Sequence, residues 1–218
     1  MIRKDTPIKD TPIIDDNACL LVIDVQLDFC PGGALAVEQG DQVVPPINGL
    51  LALFNNIVLT QDWHPAGHFS FASFHDGSQP FSSIQMPYGA QTLWPDHCIQ
   101  NSSGAEFHPD LNTSAAQVII RKGYRREIDS YSAFFENDGE SKTGLQGWLA
   151  TKQISSVYLV GLATDYCVAY SALDAARLGF DVNVLLPACR GIDLDGSLSL
   201  QLDKMSQAGV TLLEKLPE

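Results

Sequence analysis

The sequence predicts an α/β fold with a parallel central sheet, and three observations support this prediction. Five short apolar segments recur along the chain, and each has the composition of a strand buried on both faces. Helical patterns lie between several of these segments, and no repeat occurs at the scale of a domain. Because strands that alternate with helices usually pair in parallel, the pattern favours a single sheet flanked by helices.

The predicted elements follow an N-terminal arm in a regular order. Residues 1–17 contain the tetrapeptide DTPI twice, and their closely spaced prolines predict an extended arm with little structure of its own. The first predicted helix carries Pro45 and Pro46 in its first turn, where proline is tolerated. The predicted strands are 18–23, 57–59, 118–120, 157–160 and 182–186; the predicted helices are 42–54, 145–152, 165–178 and 198–208, followed by a short apolar stretch at 210–213. Residues 18–218 are therefore predicted to form a single domain.

Composition and charge exclude several classes of protein. The chain has 26 acidic and 13 basic side chains, a formal net charge of −13, which argues against nucleic acid because phosphate binding needs clustered Lys and Arg. No apolar run is long enough to cross a bilayer, and the N-terminus lacks the apolar core of a secretory signal. Five scattered cysteines without a C-x-x-C pair argue against disulfides or a thiolate zinc cage. We expect a reduced, cytoplasmic protein without nucleic-acid or membrane partners.

The segment 62–116 contains no predicted periodic element, and loops of this length inside compact domains are usually functional. All five histidines of the chain lie in it. Asp62 and His64 are two residues apart, so their side chains point to the same side of an extended chain. With a third ligand, either His97 or His68, they would bind a divalent metal and leave positions open for water or substrate. The alternative interpretation is a large surface loop that is held in place by the packing of its aromatic side chains.

Reactive side chains follow four of the predicted strands, at the point where each strand ends. These residues are Asp24, Asp62, Lys122 and Cys167. Because the carboxyl ends of parallel strands meet at one edge of a sheet, we expect the four side chains to share a crevice. A buried Asp24 requires a partner, and Lys122 offers one.

Cys167 is predicted to lie near the start of a helix. There the helix dipole and the free backbone N–H groups favour the thiolate, and the same turn offers donors for an oxyanion. The alternative is a packing role, because free cysteine is among the most buried residue types.

Six motifs resemble those of the bacterial nicotinamidases, which belong to the isochorismatase-like cysteine hydrolases. In chain order they are LVIDVQLDFCPGGAL at 21–35, QDWHP at 61–65, WPDHC at 94–98, KG at 122–123, DSYSAFF at 129–135 and GLATDYCV at 161–168. The resemblance runs from about residue 18 to the C-terminus and leaves the N-terminal arm outside it. It implies a three-layer αβα fold with a mainly parallel central sheet.

The resemblance also implies roles for individual residues. The catalytic triad of the family matches Asp24, Lys122 and Cys167, and its oxyanion hole matches the backbone N–H groups of Ala163 and Cys167, beside a cis peptide between Leu162 and Ala163. The metal ligands of the family match Asp62, His64 and His97, whereas His68 is a ligand in only some members. The residues that enclose the pyridine ring match Phe29, Trp94 and Tyr131.

The activity implied by the resemblance is metal-assisted hydrolysis of nicotinamide, and of pyrazinamide, through a thioester on the cysteine, in the service of NAD salvage. One divalent ion is implied; we expect zinc, and the N and O donors also suit iron or manganese. The assembly that we consider for this chain is a homodimer. Three alternatives stay open: a related cysteine amidase with another small amide substrate, a hydrolase that uses metal-bound hydroxide, and a metal-bearing binding module without activity.

Overall fold

A six-stranded parallel sheet organises residues 14–217, which the computed structural model describes. The strands of the described chain are β1 (Ala18–Ile23), β2 (Asn56–Asp62), β3 (Ser83–Met86), β4 (Gly89–Thr92), β5 (Val118–Lys122), β6 (Ser156–Leu162), β7 (Asp181–Arg190) and β8 (Thr211–Leu213). The sheet has the order β5-β2-β1-β6-β7-β8, and every neighbouring pair in it is parallel. The predicted α/β class and parallel sheet are therefore confirmed.

Four α-helices are found among the described residues: α1 (Val44–Leu50), α2 (Leu145–Thr151), α3 (Ala169–Arg177) and α4 (Ser197–Gln207). The predicted helix 42–54 is shorter than expected, because 3-10 turns at Gly40–Val43 and Leu51–Leu53 flank α1. The predicted helix 165–178 begins with a π-helical turn at Thr164–Val168, which continues into α3. None of the described helices is long and apolar enough to span a membrane.

The core lies on both faces of the sheet, and β1 shows why. All six of its residues are buried. Leu20 and Val22 pack in a cluster with the buried side chains of α1, whereas Leu21 and Ile23 pack with those of α2 and α3 on the opposite face. Because successive side chains of a strand point to opposite faces, a continuous apolar run is what a strand between two helical layers requires.

The two halves of the sheet grow in opposite directions from its centre. The chain runs from β1 outwards through β2 to β5, returns to β6 beside β1, and continues through β7 to β8. The carboxyl ends of β1, β2, β5 and β6 therefore meet at the switch in strand order, where ligands bind in open α/β sheets. Gly161 permits the close approach of β6 to β1, since its φ is +113° and a Cβ there would overlap the carbonyl oxygen of Ile23.

The segment 62–116 contains structure that sequence analysis did not find. Strands β3 and β4 form an antiparallel hairpin, and most of its residues are exposed or half-buried. Only Gln91 of this hairpin is buried, so it shows no apolar alternation from which strands could be predicted. Residues 1–13 of the predicted N-terminal arm lie outside the described residues, and the division into arm and single domain stays a prediction.

Candidate active site

The Lys122 ammonium group lies at the centre of the site, at the end of β5, with no exposed surface. Its Nζ is 2.8 Å from Asp24 Oδ2, 3.1 Å from Asp62 Oδ1 and 3.4 Å from Cys167 Sγ. It also donates a hydrogen bond of 2.9 Å to the carbonyl oxygen of Ser130. Burial lowers the pKa of Lys122, but Asp24 and Asp62 outweigh burial and hold the pKa well above its ordinary value. The group is therefore a permanent cation.

Asp24 follows β1 directly and is fully buried. Its φ of 46° lies in the left-handed region. The Thr60 hydroxyl donates to its Oδ1 at 2.5 Å and accepts from its backbone N–H at 3.1 Å. Burial raises the pKa of Asp24, while Lys122 and the Thr60 hydroxyl oppose that rise. A carboxylate with a raised pKa between an ammonium group and a thiol has the properties of a general base.

Cys167 lies in the π-helical turn that follows β6, and its thiol contributes to the wall of a cavity. Burial raises the pKa of this thiol well above its ordinary value; Lys122 opposes the rise, and a hydrogen bond with Asp24 adds to it. Burial and the neighbouring carboxylates thus work against the thiolate that we expect the start of the helix to favour.

Asp62, His64 and His97 form a buried group whose chemistry fits a divalent cation. One ligand atom of each lies within 4.8 Å of the others. The Nε2 atoms of His64 and His97 are 3.0 and 3.4 Å from Asp62 Oδ2. The Nδ1 atoms face the carbonyl oxygens of Gly123 and Pro95, at 2.9 and 2.8 Å, so each Nδ1 carries a proton. In the neutral rings, two nitrogen lone pairs therefore converge on a carboxylate, as in metal sites whose ligands are oriented by backbone carbonyls.

The charges around this group also attract a positive ion. Burial raises the pKa of Asp62, but His64 and Lys122 outweigh it and hold the pKa well below the ordinary value. Burial lowers the pKa of His64, and Asp62 reverses that effect and raises it. Asp62 therefore stays ionised and favours positive charge on its neighbours, whether a proton or a metal ion supplies it.

His68 lies beside His64, and both of its ring nitrogens have hydrogen-bond partners outside the group of Asp62, His64 and His97. Its Nε2 donates to the carbonyl oxygen of Arg125 at 2.8 Å, and its Nδ1 is 2.7 Å from the Ser70 hydroxyl. Burial and the neighbouring His64 lower the pKa of His68 to about 4, so the ring is neutral. Its ring packs against that of His64, with centroids 4.4 Å apart. The structure therefore gives His68 a packing role beside His64, with both ring nitrogens already hydrogen-bonded.

A cavity opens onto these groups. Its wall contains the three residues expected to enclose a ring and further residues of both centres: Phe29, Leu35, Asp62, Trp94, His97, Asp129, Tyr131, Ala163, Tyr166, Cys167 and Ile192. The Trp94 indole N–H donates to the Tyr131 hydroxyl at 3.1 Å and fixes two of the aromatic walls relative to each other. The wall thus combines four aromatic side chains, those of Phe29, Trp94, Tyr131 and Tyr166, with the polar groups of both centres.

Sequence reasoning missed four members of this wall, namely Leu35, Asp129, Tyr166 and Ile192. Tyr166 could have been included because it precedes Cys167 in the same turn. Ile192 carried no signal, since it lies in the loop after β7 and reaches the cavity only through tertiary structure. Ala163 is in the wall, and the Leu162–Ala163 peptide is cis, as the family resemblance implied. The role of Ala163 and Cys167 as an oxyanion hole stays a prediction.

A parallel α/β fold that brings a thiol, a carboxylate and an ammonium group together at the switch in strand order is typical of the isochorismatase-like hydrolases. The family model described as the isochorismatase domain matches residues 18–215, and the chain belongs to this family. Among curated proteins, it is 53% identical to the nicotinamidase of Acinetobacter baylyi over 195 residues, which is 89% of this chain and 91% of that protein.

Solved structures are similar over the same region. A nicotinamidase/pyrazinamidase of Acinetobacter baumanii has a TM-score of 0.90 at 54% identity and covers 91% of this chain and 96% of its own. PnC1 from L. infantum, in complex with nicotinate, has a TM-score of 0.81 at 36% identity, covering 93% and 95%. The pyrazinamidase of Pyrococcus horikoshii, in complex with zinc, has a TM-score of 0.74 at 36% identity, covering 91% and 99%.

Proposed function

We propose that this chain hydrolyses nicotinamide to nicotinate and ammonia, and that it accepts pyrazinamide as a second substrate. The observation that carries this proposal is the meeting of Cys167, Asp24 and Lys122 beside a cavity with aromatic walls and next to the group of Asp62, His64 and His97. The nicotinamidases to which the chain is similar support the choice of substrate. Nicotinate formed in this way would serve NAD salvage.

The reaction begins with the transfer of the Cys167 thiol proton to Asp24. The thiolate then attacks the carboxamide carbon, and the backbone N–H groups of Ala163 and Cys167 stabilise the resulting oxyanion. Protonated Asp24 returns its proton to the departing nitrogen, which leaves as ammonia, and a thioester remains. Asp24 next accepts a proton from water as the water oxygen attacks the thioester carbon. The C–S bond then breaks, Asp24 returns its proton to the Cys167 sulfur, and nicotinic acid leaves and ionises to nicotinate by losing a proton to solvent.

Lys122 allows these proton transfers to occur at a buried position, because its positive charge stabilises the anions that they form. Its ammonium group lies 2.8 Å from Asp24 Oδ2 and lowers the pKa of a carboxyl that burial alone would keep protonated. Its position 3.4 Å from Cys167 Sγ also favours the thiolate once the proton has moved. Both effects favour the reaction, because the ammonium group stabilises negative charge on the Asp24 carboxylate before the proton transfer and on the Cys167 sulfur after it.

Asp62, His64 and His97 are the residues that would hold a divalent cation, and we propose zinc, by analogy with the zinc-bound pyrazinamidase of P. horikoshii. The donor set of one carboxylate and two imidazoles also suits iron or manganese. A cation held by these residues would supply a Lewis acid for the pyridine nitrogen, and this contact would help to orient the carboxamide towards the sulfur.

The test compares Cys167→Ala with Cys189→Ala in an assay of ammonia release from nicotinamide, pyrazinamide and benzamide. Cys189 is also buried, and burial raises the pKa of its thiol to about 12, but it lies in β7 outside the cavity wall. We expect Cys167→Ala to lower kcat by more than about 10³-fold, as the loss of a nucleophile does. Cys189→Ala should retain turnover, and benzamide, which lacks the ring nitrogen, should be the poorest substrate.

Different failures of this test identify different alternatives. Near-normal turnover by Cys167→Ala would contradict the thioester route and favour metal-bound hydroxide as the nucleophile. A preference of the wild-type protein for a non-pyridine amide would favour a related cysteine amidase. If metal-loaded wild-type protein hydrolysed none of the amides, the result would favour the third alternative, a metal-bearing binding module without activity.

A further inference from the structure

Asp129 is a buried carboxylate in the cavity wall that the proposed reaction does not use. It is 2% exposed, and it lies in the segment that follows β5. Its Oδ1 accepts a hydrogen bond from the Ser130 N–H at 2.8 Å, and its Oδ2 accepts one from the Gln91 side-chain amide at 2.7 Å. Within residues 14–217, no Lys or Arg forms an ion pair with it. A buried charge held only by neutral donors lacks its counter-charge.

The imidazole of His64, which can carry a positive charge, lies close to Asp129. The His64 Nε2 atom is 3.9 Å from Asp129 Oδ1 and 3.0 Å from Asp62 Oδ2. When the ring is neutral, this nitrogen is a lone pair, because Nδ1 donates to the carbonyl oxygen of Gly123. The lone pair then faces the carboxyl groups of Asp62 and Asp129, and both would stabilise a positive charge at this point, supplied by a proton on the ring or by a bound cation.

A separate site formed by His64, His68 and Asp129 is a weaker interpretation. One ligand atom of each lies within 4.8 Å of the others. His68, however, uses Nε2 to donate to Arg125 and Nδ1 to pair with Ser70, so neither nitrogen is free to bind an ion. Asp129 therefore belongs with Asp62 and His64, at the site described above.

Three buried carboxyl groups, those of Asp24, Asp62 and Asp129, share the site with one ammonium group, that of Lys122. All four residues are at most 3% exposed. Uncompensated buried charge is costly, and a cation bound beside Asp129 would reduce that cost.

We propose that Asp129 is the charge-compensating carboxylate of the cation site, acting from the cavity side beside the ligands Asp62, His64 and His97. Gln91 is the residue that holds it there, since the same side-chain amide also donates to the Thr92 carbonyl at 2.7 Å and to the Tyr131 hydroxyl at 3.0 Å. The inference rests on the cation of the proposed function, and it adds a residue that tunes the affinity for that cation.

The experiment measures Zn²⁺ affinity directly, by competition with a chromogenic chelator, in chelator-treated protein. Asp129→Ala removes the charge and leaves the Gln91 amide with two other acceptors, and Asp129→Asn removes the charge at nearly constant shape. We expect each variant to raise the Kd for Zn²⁺ about 10–100-fold, as loss of a residue around a metal site typically does. The matched control is Glu136→Gln, a 2% exposed carboxylate of the same segment that faces Arg125 at 3.8 Å. Its Kd should stay within about threefold of the wild-type value.

The outcomes separate this inference from the proposed function. Wild-type protein that binds no Zn²⁺ would remove the cation from the proposed function. Wild-type protein that binds Zn²⁺ with the same Kd as both Asp129 variants would overturn the role of Asp129 alone. A merely structural role would lower the melting temperature of the metal-free variants and leave the affinity of the folded fraction unchanged, and this result also contradicts the proposal.

Discussion

At the scale of single residues, the site depends on one ammonium group that contacts two carboxylates and a thiol. Lys122 lies within 3.4 Å of Asp24, Asp62 and Cys167, and it has no exposed surface. Because removal of one partner of a buried ion pair leaves an uncompensated charge, this lysine links the stability of the fold to the protonation of the site. The pKa values of the base and of the thiol therefore both depend on this one ammonium group.

Thr60→Val tests how the pKa of Asp24 is held. The Thr60 hydroxyl donates to Asp24 Oδ1 and lowers its pKa, so removal of the hydroxyl raises that pKa further. Asp24 must be ionised to accept the thiol proton, and activity is therefore lost as the pH falls through its pKa. We expect the acid limb of kcat/KM to move to higher pH by about 0.5–1 unit, the equivalent of one hydrogen bond.

The control for this prediction is Thr151→Val. The Thr151 hydroxyl donates to the Gly147 carbonyl on the exposed side of α2, far from the site in the fold. Its pH profile should match that of the wild-type protein. An acid limb that stays in place in Thr60→Val would show that this hydrogen bond does not control the base.

At the scale of elements, the contact between β1 and β6 brings base and nucleophile together. Ile23 pairs with Gly161, so Asp24 follows one strand where the turn to Cys167 follows the other. Glycine is required at this point because its φ is +113° and a side chain would overlap the Ile23 backbone. The relative position of Asp24 and Cys167 is therefore set first by the pairing of β1 with β6, and only then by the conformations of the two side chains.

Gly161→Ala tests this dependence on the two strands, with Gly147→Ala as its counterpart. We expect Gly161→Ala to lower the free energy of unfolding by more than about 2 kcal/mol, because the overlap must be relieved by moving a central strand. Gly147 is exposed in α2, and nothing lies within 4 Å of a Cβ built there, so Gly147→Ala should raise stability by about 0.5–1 kcal/mol. Urea denaturation measures both, and equal midpoints for the two variants would contradict the argument.

Some elements could be predicted from sequence because their local pattern and their environment agree. The run at Ala18–Ile23 is apolar at every position because both of its faces are buried, and the structure has the predicted bounds. The hairpin of β3 and β4 could not be predicted, because its one buried residue is Gln91, a polar side chain that is buried for its hydrogen bonds. Ile192 likewise reaches the cavity only after β7 and its loop have folded.

The chemistry of the site was predictable in part for the same reason. Residues at the ends of buried strands could be placed at one edge of the sheet, and the structure brings Asp24, Asp62, Lys122 and Cys167 together there. The protonation of Cys167 could not be predicted, because it depends on how completely folding excludes water from the thiol. Sequence shows which groups meet, and only packing shows how strongly they are desolvated.

At the scale of the whole molecule, a bound cation should contribute to the stability of the entire fold. The ligands Asp62, His64 and His97 come from the end of β2 and from the segment after it, and they gather only in the folded chain. A ligand that binds only the folded state at 100 times its Kd stabilises it by about 2.7 kcal/mol. Chelation should therefore lower the melting temperature by about 5–10 °C for a chain of this size.

Zn²⁺ added back to the chelated protein should restore the original melting temperature. Cys167→Ala serves as the control, because its thiol is not one of the three ligands and the shift on chelation should be the same as in the wild-type protein. If chelation leaves the melting curve unchanged while Zn²⁺ is shown to leave the protein, the three side chains do not form a site that discriminates between folded and unfolded states.

The position of the nucleophile late in the chain has a consequence for biosynthesis. A ribosome delivers Asp24 first, then Asp62, then Lys122, and Cys167 last, after four strands of the sheet have already been made. A nascent chain that has not reached β6 therefore carries Asp24, Lys122 and the three ligand residues without the Cys167 sulfur. The complete set of groups comes together only when β6 takes its place beside β1 and the turn to Cys167 follows it.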